Sequence, residues 1–173
     1  YRPGDRIADK YRLIELLAEL GFVVNRVEID PRRDWQPGAP DLIAICGPKS
    51  SPTIIDVLET DPALDFSLRS DGRWTIKDRV TDIEYASPMD DPTPLPRDIA
   101  YVGRLRFDSD RHLLLIAGVH AVGSLGAVHH LRANLAGLYR DVGTGEFSMV
   151  IASDHNDTGE IKATEVLCAP VLH

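Results

Sequence analysis

Two short segments of the sequence combine glycine, lysine, histidine and serine in patterns that suit the binding of an anion. One spans residues 47–51 (Gly-Pro-Lys-Ser-Ser), and the other spans residues 118–124 (Gly-Val-His-Ala-Val-Gly-Ser). Glycine lets a backbone approach a ligand closely, while serine, lysine and histidine side chains can donate hydrogen bonds. We predict that the following residues bind a ligand: Gly47, Lys49, Ser50, Ser51, Gly118, His120, Gly123 and Ser124.

Each segment follows an apolar run typical of a buried strand and leads into a predicted helix. The runs cover residues 42–46 and 112–117, and the helices are predicted to begin at Ser51-Pro52 and at Ser124. In open α/β sheets, ligands bind beyond the carboxyl ends of the strands. The first amides of a helix are unpaired there and attract anions. We therefore expect both segments to meet in one partly polar pocket.

An alternative without any ligand stays open for both segments. Neither matches the phosphate-loop pattern or the Gly-x-Gly-x-x-Gly dinucleotide pattern, and tight strand-to-helix turns with capping residues occur in many domains. His120 could donate a hydrogen bond or act as an acid or base, or it could have no role. No Gly-x-Ser-x-Gly nucleophile motif occurs. Catalytic residues and a cofactor therefore remain unassigned.

Metal binding is not predicted. The sequence contains no His-x-x-x-His or Cys-x-x-Cys spacing, the patterns that place ligands together around zinc. His129 and His130 are adjacent in a predicted helix and point about 100° apart, so both are interpreted as structural.

The remaining pattern predicts a single α/β domain over residues 1–173. It comprises a three-layer mixed sheet, Rossmann-like, with helices on both faces and added β-hairpins. A helix is predicted over residues 5–20 and a strand over residues 23–29. Further strands are predicted at 74–77, 83–86, 99–107, 147–152 and 161–167, with a helix at 124–139 and a surface loop at 87–96.

Charge and composition exclude several classes of partner. The chain has a formal charge of −8, and eleven acids against five bases lie between Asp56 and Asp98. Such a segment repels phosphate backbones, so this domain is not expected to bind nucleic acid directly. No apolar stretch is long enough to span a membrane.

Cys46 and Cys168 form no disulfide framework, which favours a reducing, cytoplasmic compartment. Since the chain begins with Tyr1, we expect it to be excised from a longer protein.

Four stretches of the sequence resemble the C-terminal domain of actinobacterial helix-turn-helix regulators. They are residues 41–52, 71–74, 98–103 and 117–126, and the resemblance extends over nearly the whole chain. It implies a bacterial sensory or effector domain that acts in transcription regulation with an N-terminal DNA-binding partner domain. It implies neither a defined ligand nor a catalytic motif.

These observations favour a ligand-sensing regulatory domain that binds a small anionic, nucleotide-like molecule at the paired turns. An enzyme acting on a nucleotide or its sugar is the first alternative, with His120 as acid or base beside an acid such as Asp98. A protein interaction module without a ligand is the second alternative. A homodimer remains open.

Overall fold

The computed structural model describes residues 42–50, 52–107 and 111–173, which form eight strands and two helices. In chain order these are β1 (Leu42–Ile45), α1 (Pro52–Glu59), β2 (Leu64–Leu68), β3 (Trp74–Asp78), β4 (Glu84–Ala86), β5 (Arg97–Arg106), β6 (His112–Gly118), α2 (Ala121–Val142), β7 (Phe147–His155) and β8 (Ile161–Leu172). Short 3-10 turns lie at Pro48–Ser50 and Pro88–Asp90. The predicted helix over residues 5–20 and strand over residues 23–29 lie outside the described residues.

The strands form two separate sheets. The larger sheet has the order β1-β6-β5-β7-β8, and the smaller sheet is the antiparallel meander β2-β3-β4. Only β1 and β6 run parallel within the described part of the larger sheet, and the other neighbours are antiparallel. Parallel neighbours place their carboxyl ends at the same edge of a sheet. The β1–β6 pair therefore decides where the two predicted binding turns lie.

Two hydrophobic cores cover the two faces of the larger sheet. On one face, α2 packs through Leu125, Val128 and Leu131 against inward residues of β5, β6 and β7. On the other face, residues of α1 and of the smaller sheet, including Leu64 and Ile76, meet the opposite side of the same strands. Cover on both faces explains why the central strands are almost continuously apolar rather than alternating.

The fold is mixed α/β with two sheets and few helices, and this corrects part of the predicted architecture. A three-layer Rossmann-like sheet with helices on both faces is not what the described residues form. The face opposite α2 is covered mainly by the three-stranded sheet, and α1 contributes only two turns to that core. Three antiparallel pairings in the larger sheet also differ from the parallel order of a Rossmann fold.

Several element predictions can be compared directly with the structure. The hairpin predicted around residues 74–86 is confirmed as β3 and β4. Strand β2 was missed, although its buried residues Leu64 and Phe66 alternate with the partly exposed Asp65 and Ser67, which is the pattern of a half-covered strand. Both predicted apolar strands exist. β6 is interior, but β1 has no second neighbour among the residues described, so an interior position is not shown for it.

No helix in the described ranges is both long enough and apolar enough to cross a membrane. Cys46 and Cys168 do not form a disulfide bond with each other in the structure, which agrees with the prediction that both are thiols.

Candidate functional site

The turns that follow β1 and β6 lie side by side at one edge of the larger sheet. Residues Leu42 to Ile45 pair in parallel with Leu113 to Ile116, so both strands lead to the same edge of the sheet. A Cβ atom added to Gly47 would lie only 2.8 Å from the carbonyl oxygen of Gly118. This spacing is shorter than any ordinary contact of a Cβ atom, so the close approach of the two turns requires glycine at position 47.

The turn after β6 is closed by bonds within the chain. The amide of Gly118 donates a hydrogen bond of 2.9 Å to the hydroxyl oxygen of Ser124, which is buried. A side chain at Gly118 would overlap the backbone of both His120 and Ser124. Gly118 and Ser124 were predicted to face a ligand, but here their backbone and hydroxyl groups hold the β6-to-α2 connection together.

Asp98, a fully buried residue of β5, caps the beginning of α2. Its Oδ2 atom accepts the backbone N–H of His120 at 3.0 Å and that of Gly123 at 2.8 Å. Its Oδ1 atom accepts the hydroxyl of Ser87 at 2.6 Å. A helix leaves its first four amides unpaired, and a carboxylate that accepts them from outside the helix stabilises it. Asp98 supplies that carboxylate from a neighbouring strand.

This cap explains why α2 begins earlier than the sequence predicts. Ser124 was expected to open the helix, but the structure starts it at Ala121, with His120 as the N-cap residue. The His120 side chain makes no capping hydrogen bond. Local capping patterns therefore misled the prediction, because the capping group lies 22 residues earlier in the chain, at Asp98.

The same cap occupies the position in which an anionic ligand was expected. Gly123 lacks a side chain where the Asp98 carboxylate approaches, since an added Cβ would lie 2.5 Å from its Oδ2 atom. A second anion at this helix start would lie beside the negative charge of the buried Asp98, and like charges repel strongly at low dielectric. Gly123 and Ser124 therefore have partners within the protein rather than open positions for a ligand.

His120 pairs with an acid that the sequence analysis did not single out. Its Nε2 atom lies 3.0 Å from Oδ1 of Asp90, and both side chains are partly exposed, at 30% and 25%. Asp90 ends the 3-10 turn Pro88–Asp90, whose N-cap Ser87 also bonds to Asp98. Asp98, the acid predicted to lie beside the His120 side chain, instead accepts a hydrogen bond from the His120 backbone amide.

The contact between the proline-rich loop (residues 87–96) and His120 was not predicted from the sequence. Residues 87–96 were predicted to be a surface loop, and residues 91–96 are indeed exposed. The first part of the loop, in contrast, turns inward at the buried Ser87. A serine followed by proline is a cap pattern for a helical turn, and this pattern could have indicated that Asp90 is held in place.

The turn after β1 differs from the turn after β6 because it exposes a charged side chain to solvent. Pro48–Ser50 forms a 3-10 turn, and Lys49 is exposed. Helix α1 begins at Pro52, as the sequence predicts. Ser51 and the side chain of Ser50 lie outside the description, so their predicted contacts with a ligand stay predictions. Within residues 47–49, Lys49 is the group that could contact an anion from solvent.

A second buried carboxylate, Asp61, lies on the opposite face of the sheet. Its Oδ1 atom accepts the amides of Ala63 and Leu64 at 2.7 and 3.0 Å, and its Oδ2 atom accepts the Tyr101 hydroxyl at 2.7 Å. Burial, and then the neighbouring Asp61, raise the pKa of Tyr101 well above its usual value. Asp61 thereby ties the end of α1 to the centre of β5.

The described residues contain no group of three side chains that could hold a metal ion. His130 is bonded to Thr164 at 3.0 Å, and burial lowers its pKa, as expected for a structural histidine. A cavity of about 400 Å³ lies at the other end of α2. Its lining is mainly apolar and includes Leu42, Leu114 and Tyr139, so it is distinct from the polar turns.

Comparisons with protein-family models, curated proteins and solved structures give no match to this chain.

Proposed function

We propose that this chain is a ligand-sensing regulatory domain that binds a small anionic molecule at the shared edge of β1 and β6. The observation that carries the proposal is the parallel pairing of these strands, which brings Gly47 against the carbonyl of Gly118. Two turns with exposed polar groups at one sheet edge are the usual setting for ligands in α/β proteins.

The anionic group of the ligand is assigned to the turn after β1. Lys49 is exposed there and supplies a positive charge, and the 3-10 turn Pro48–Ser50 precedes α1, whose first amides attract anions. The turn after β6 contributes the His120 side chain, while the amides of His120 and Gly123 already donate to Asp98.

A sensory role in transcription regulation completes the proposal. It is supported by the resemblance to the C-terminal domains of actinobacterial helix-turn-helix regulators, in which an N-terminal domain binds DNA. The acidic segment from Asp56 to Asp98 agrees with a division of labour in which this domain binds the small molecule and another domain binds the nucleic acid. A nucleotide-like ligand would supply both an anionic group and hydroxyl groups that can form hydrogen bonds.

A thermal-shift screen against nucleotides, sugar phosphates and carboxylic acids tests this proposal. A binder should raise the melting temperature, and Lys49→Ala should weaken its affinity by about 1–3 kcal/mol, the scale of a hydrogen bond to a charged group. Lys162→Ala is the matched control, because Lys162 on β8 is also exposed but pairs with Glu160. Equal losses in both variants, or no binder at all, would contradict the proposal.

An enzyme is the second candidate, and the contact between His120 and Asp90 favours it. A carboxylate that orients an imidazole is a common arrangement for general acid–base catalysis. If this activity exists, ligands found in the screen should be converted to products by the wild-type domain, as followed by NMR. The His120→Ala variant should still bind them through Lys49 but should not convert them. Unchanged ligands after prolonged incubation would leave only the sensory role.

A further inference from the structure

The contact between His120 and Asp90 restricts which hydrogen-bonding groups the site can accept. A carboxylate only accepts hydrogen bonds, so the Nε2 atom of His120, 3.0 Å from Asp90 Oδ1, must be the protonated nitrogen. In the neutral ring the other nitrogen, Nδ1, then has a lone pair and no hydrogen. Among the described residues, Nδ1 has no hydrogen-bond partner, and the side chain is 30% exposed.

The charges around His120 also restrict what can lie beside it. Asp90 contacts its ring, and the buried Asp98 accepts its backbone amide at 3.0 Å. Two carboxylates on one residue disfavour the anionic group of a ligand at this position. Lys49, two residues beyond the contact between Gly47 and Gly118, is the cation on the other turn. The site is therefore polarised, with its positive end at Lys49.

From these two observations we infer that the ligand is a hydroxylated anion whose hydroxyl group donates a hydrogen bond to Nδ1 of His120 while its anionic group lies at Lys49. Sugar phosphates, polyol phosphates and hydroxy acids belong to this class, whereas anions without a hydroxyl group do not. The inference rests on the proposed function, since it assigns the chemistry of the same site. His120 is a specificity-determining residue in this account, and Asp90 is the positioning residue that fixes its tautomer.

The protonation of His120 tests the inference without any ligand. In the free domain with the ring neutral, nitrogen-15 NMR should show the Nε2–H tautomer for His120 with an unprotonated Nδ1. Asp90→Ala removes the carboxylate that fixes this tautomer, so the signal should move toward a mixture of the two neutral forms. A neutral ring with its hydrogen on Nδ1 in the wild-type domain would overturn the inference whatever the ligand is.

A matched pair of probes tests the selectivity that follows. Glycerol 3-phosphate and propyl phosphate share the phosphate and the carbon chain, but only the first has hydroxyl groups. We expect glycerol 3-phosphate to bind about five- to tenfold more tightly, the effect of one hydrogen bond. His120→Ala should abolish that difference, while Lys49→Ala should weaken both probes by a similar factor. His120→Ala is a mild change, because the side chain does not cap α2.

The outcomes separate the inference from the proposed function. Equal binding of both probes to the wild-type domain, with Lys49→Ala weakening both, would overturn the inference and support the anion site. A difference between the probes that persists in His120→Ala would also overturn it, because another group would then be the acceptor. If neither probe binds at millimolar concentration while a different anion does, the anion site stands and this assignment of the ligand falls. If no anion binds, both the inference and the proposed function are wrong.

Discussion

The turns that follow β1 and β6 look alike in sequence, yet they differ in what surrounds them. Each has a glycine at the end of an apolar strand and a serine before or within the next helix. After β6, the buried Asp98 accepts two amides of the helix start, and Ser124 accepts the amide of Gly118. After β1, the turn carries the exposed Lys49. The amides of the turn after β6 thus donate hydrogen bonds to side chains of the same protein, whereas the turn after β1 exposes a cation to solvent.

This difference shows that a glycine-containing turn before a helix is not in itself an anion site. The first amides of a helix attract any carboxylate that can reach them, and a carboxylate of the same protein can occupy the position first. A side chain from a neighbouring strand, as with Asp98, leaves no trace in the local pattern. The predictions below test whether the two turns differ as the structure indicates.

Removing the Asp98 carboxylate should have the largest effect on stability. Asp98→Ala leaves the amides of His120 and Gly123 and the hydroxyl of Ser87 without their acceptor in a buried environment. We expect the free energy of unfolding to fall by about 3–5 kcal/mol, because each lost bond involves a charged group. Urea denaturation measures this loss. In the control Asp91→Ala, an exposed ion pair with Arg73 is lost, and the change should stay below about 1 kcal/mol. Similar losses in both variants would show that Asp98 is not the cap.

Adding a methyl group to Gly118 should have the next largest effect. The new Cβ atom would overlap the backbone of His120 and Ser124, so Gly118→Ala should lower the free energy of unfolding by about 2–3 kcal/mol. Gly137 in α2 is a matched control with no atom within 4 Å of its added Cβ. Gly137→Ala should instead raise stability by roughly 0.5–1 kcal/mol, because alanine favours a helix over glycine. The same sign in both variants would mean that the turn after β6 is not closely packed.

Removing the hydrogen bond between Tyr101 and Asp61, the buried carboxylate on the other face, should have a smaller effect on stability, and this effect should depend on pH. Tyr101→Phe removes the hydroxyl that donates to Asp61 at 2.7 Å and should cost about 1–2 kcal/mol at neutral pH. The pKa of Tyr101 is raised in the folded protein, by burial first and by Asp61 second. Above about pH 10 the unfolded chain therefore binds fewer protons than the folded protein, and stability falls as the pH rises.

The melting temperature between pH 9 and pH 11 tests this sign. The wild-type domain should lose stability more steeply across that range than Tyr101→Phe, which lacks the titrating group. Tyr139→Phe is the control, because Tyr139 is 62% exposed, and it should keep the wild-type slope. A slope that Tyr101→Phe leaves unchanged would show that the Tyr101 hydroxyl titrates as freely in the folded protein as in the unfolded chain.

Sequence patterns predicted the local elements of this chain better than their long-range arrangement. The apolar runs before Gly47 and within β6 are strands, as their continuous apolar character predicts. The second sheet on the face opposite α2 was not foreseen, because apolar residues on β2 and β3 do not reveal which face they cover. The contacts of Asp90 with His120 and of Asp98 with Gly123 were not foreseen, because these residues lie 30 and 25 positions apart in the chain.

Mapping of amide shifts during a titration with inorganic phosphate tests the difference between the two turns most directly. As phosphate is added to millimolar concentration, the NMR signals of Gly47, Lys49 and Ser50 should move. Those of Val122, Gly123 and Ser124 should stay nearly constant, because Asp98 excludes a second anion from the start of α2. Shifts that are largest in the first turn of α2, with none around Lys49, would contradict this account of the site.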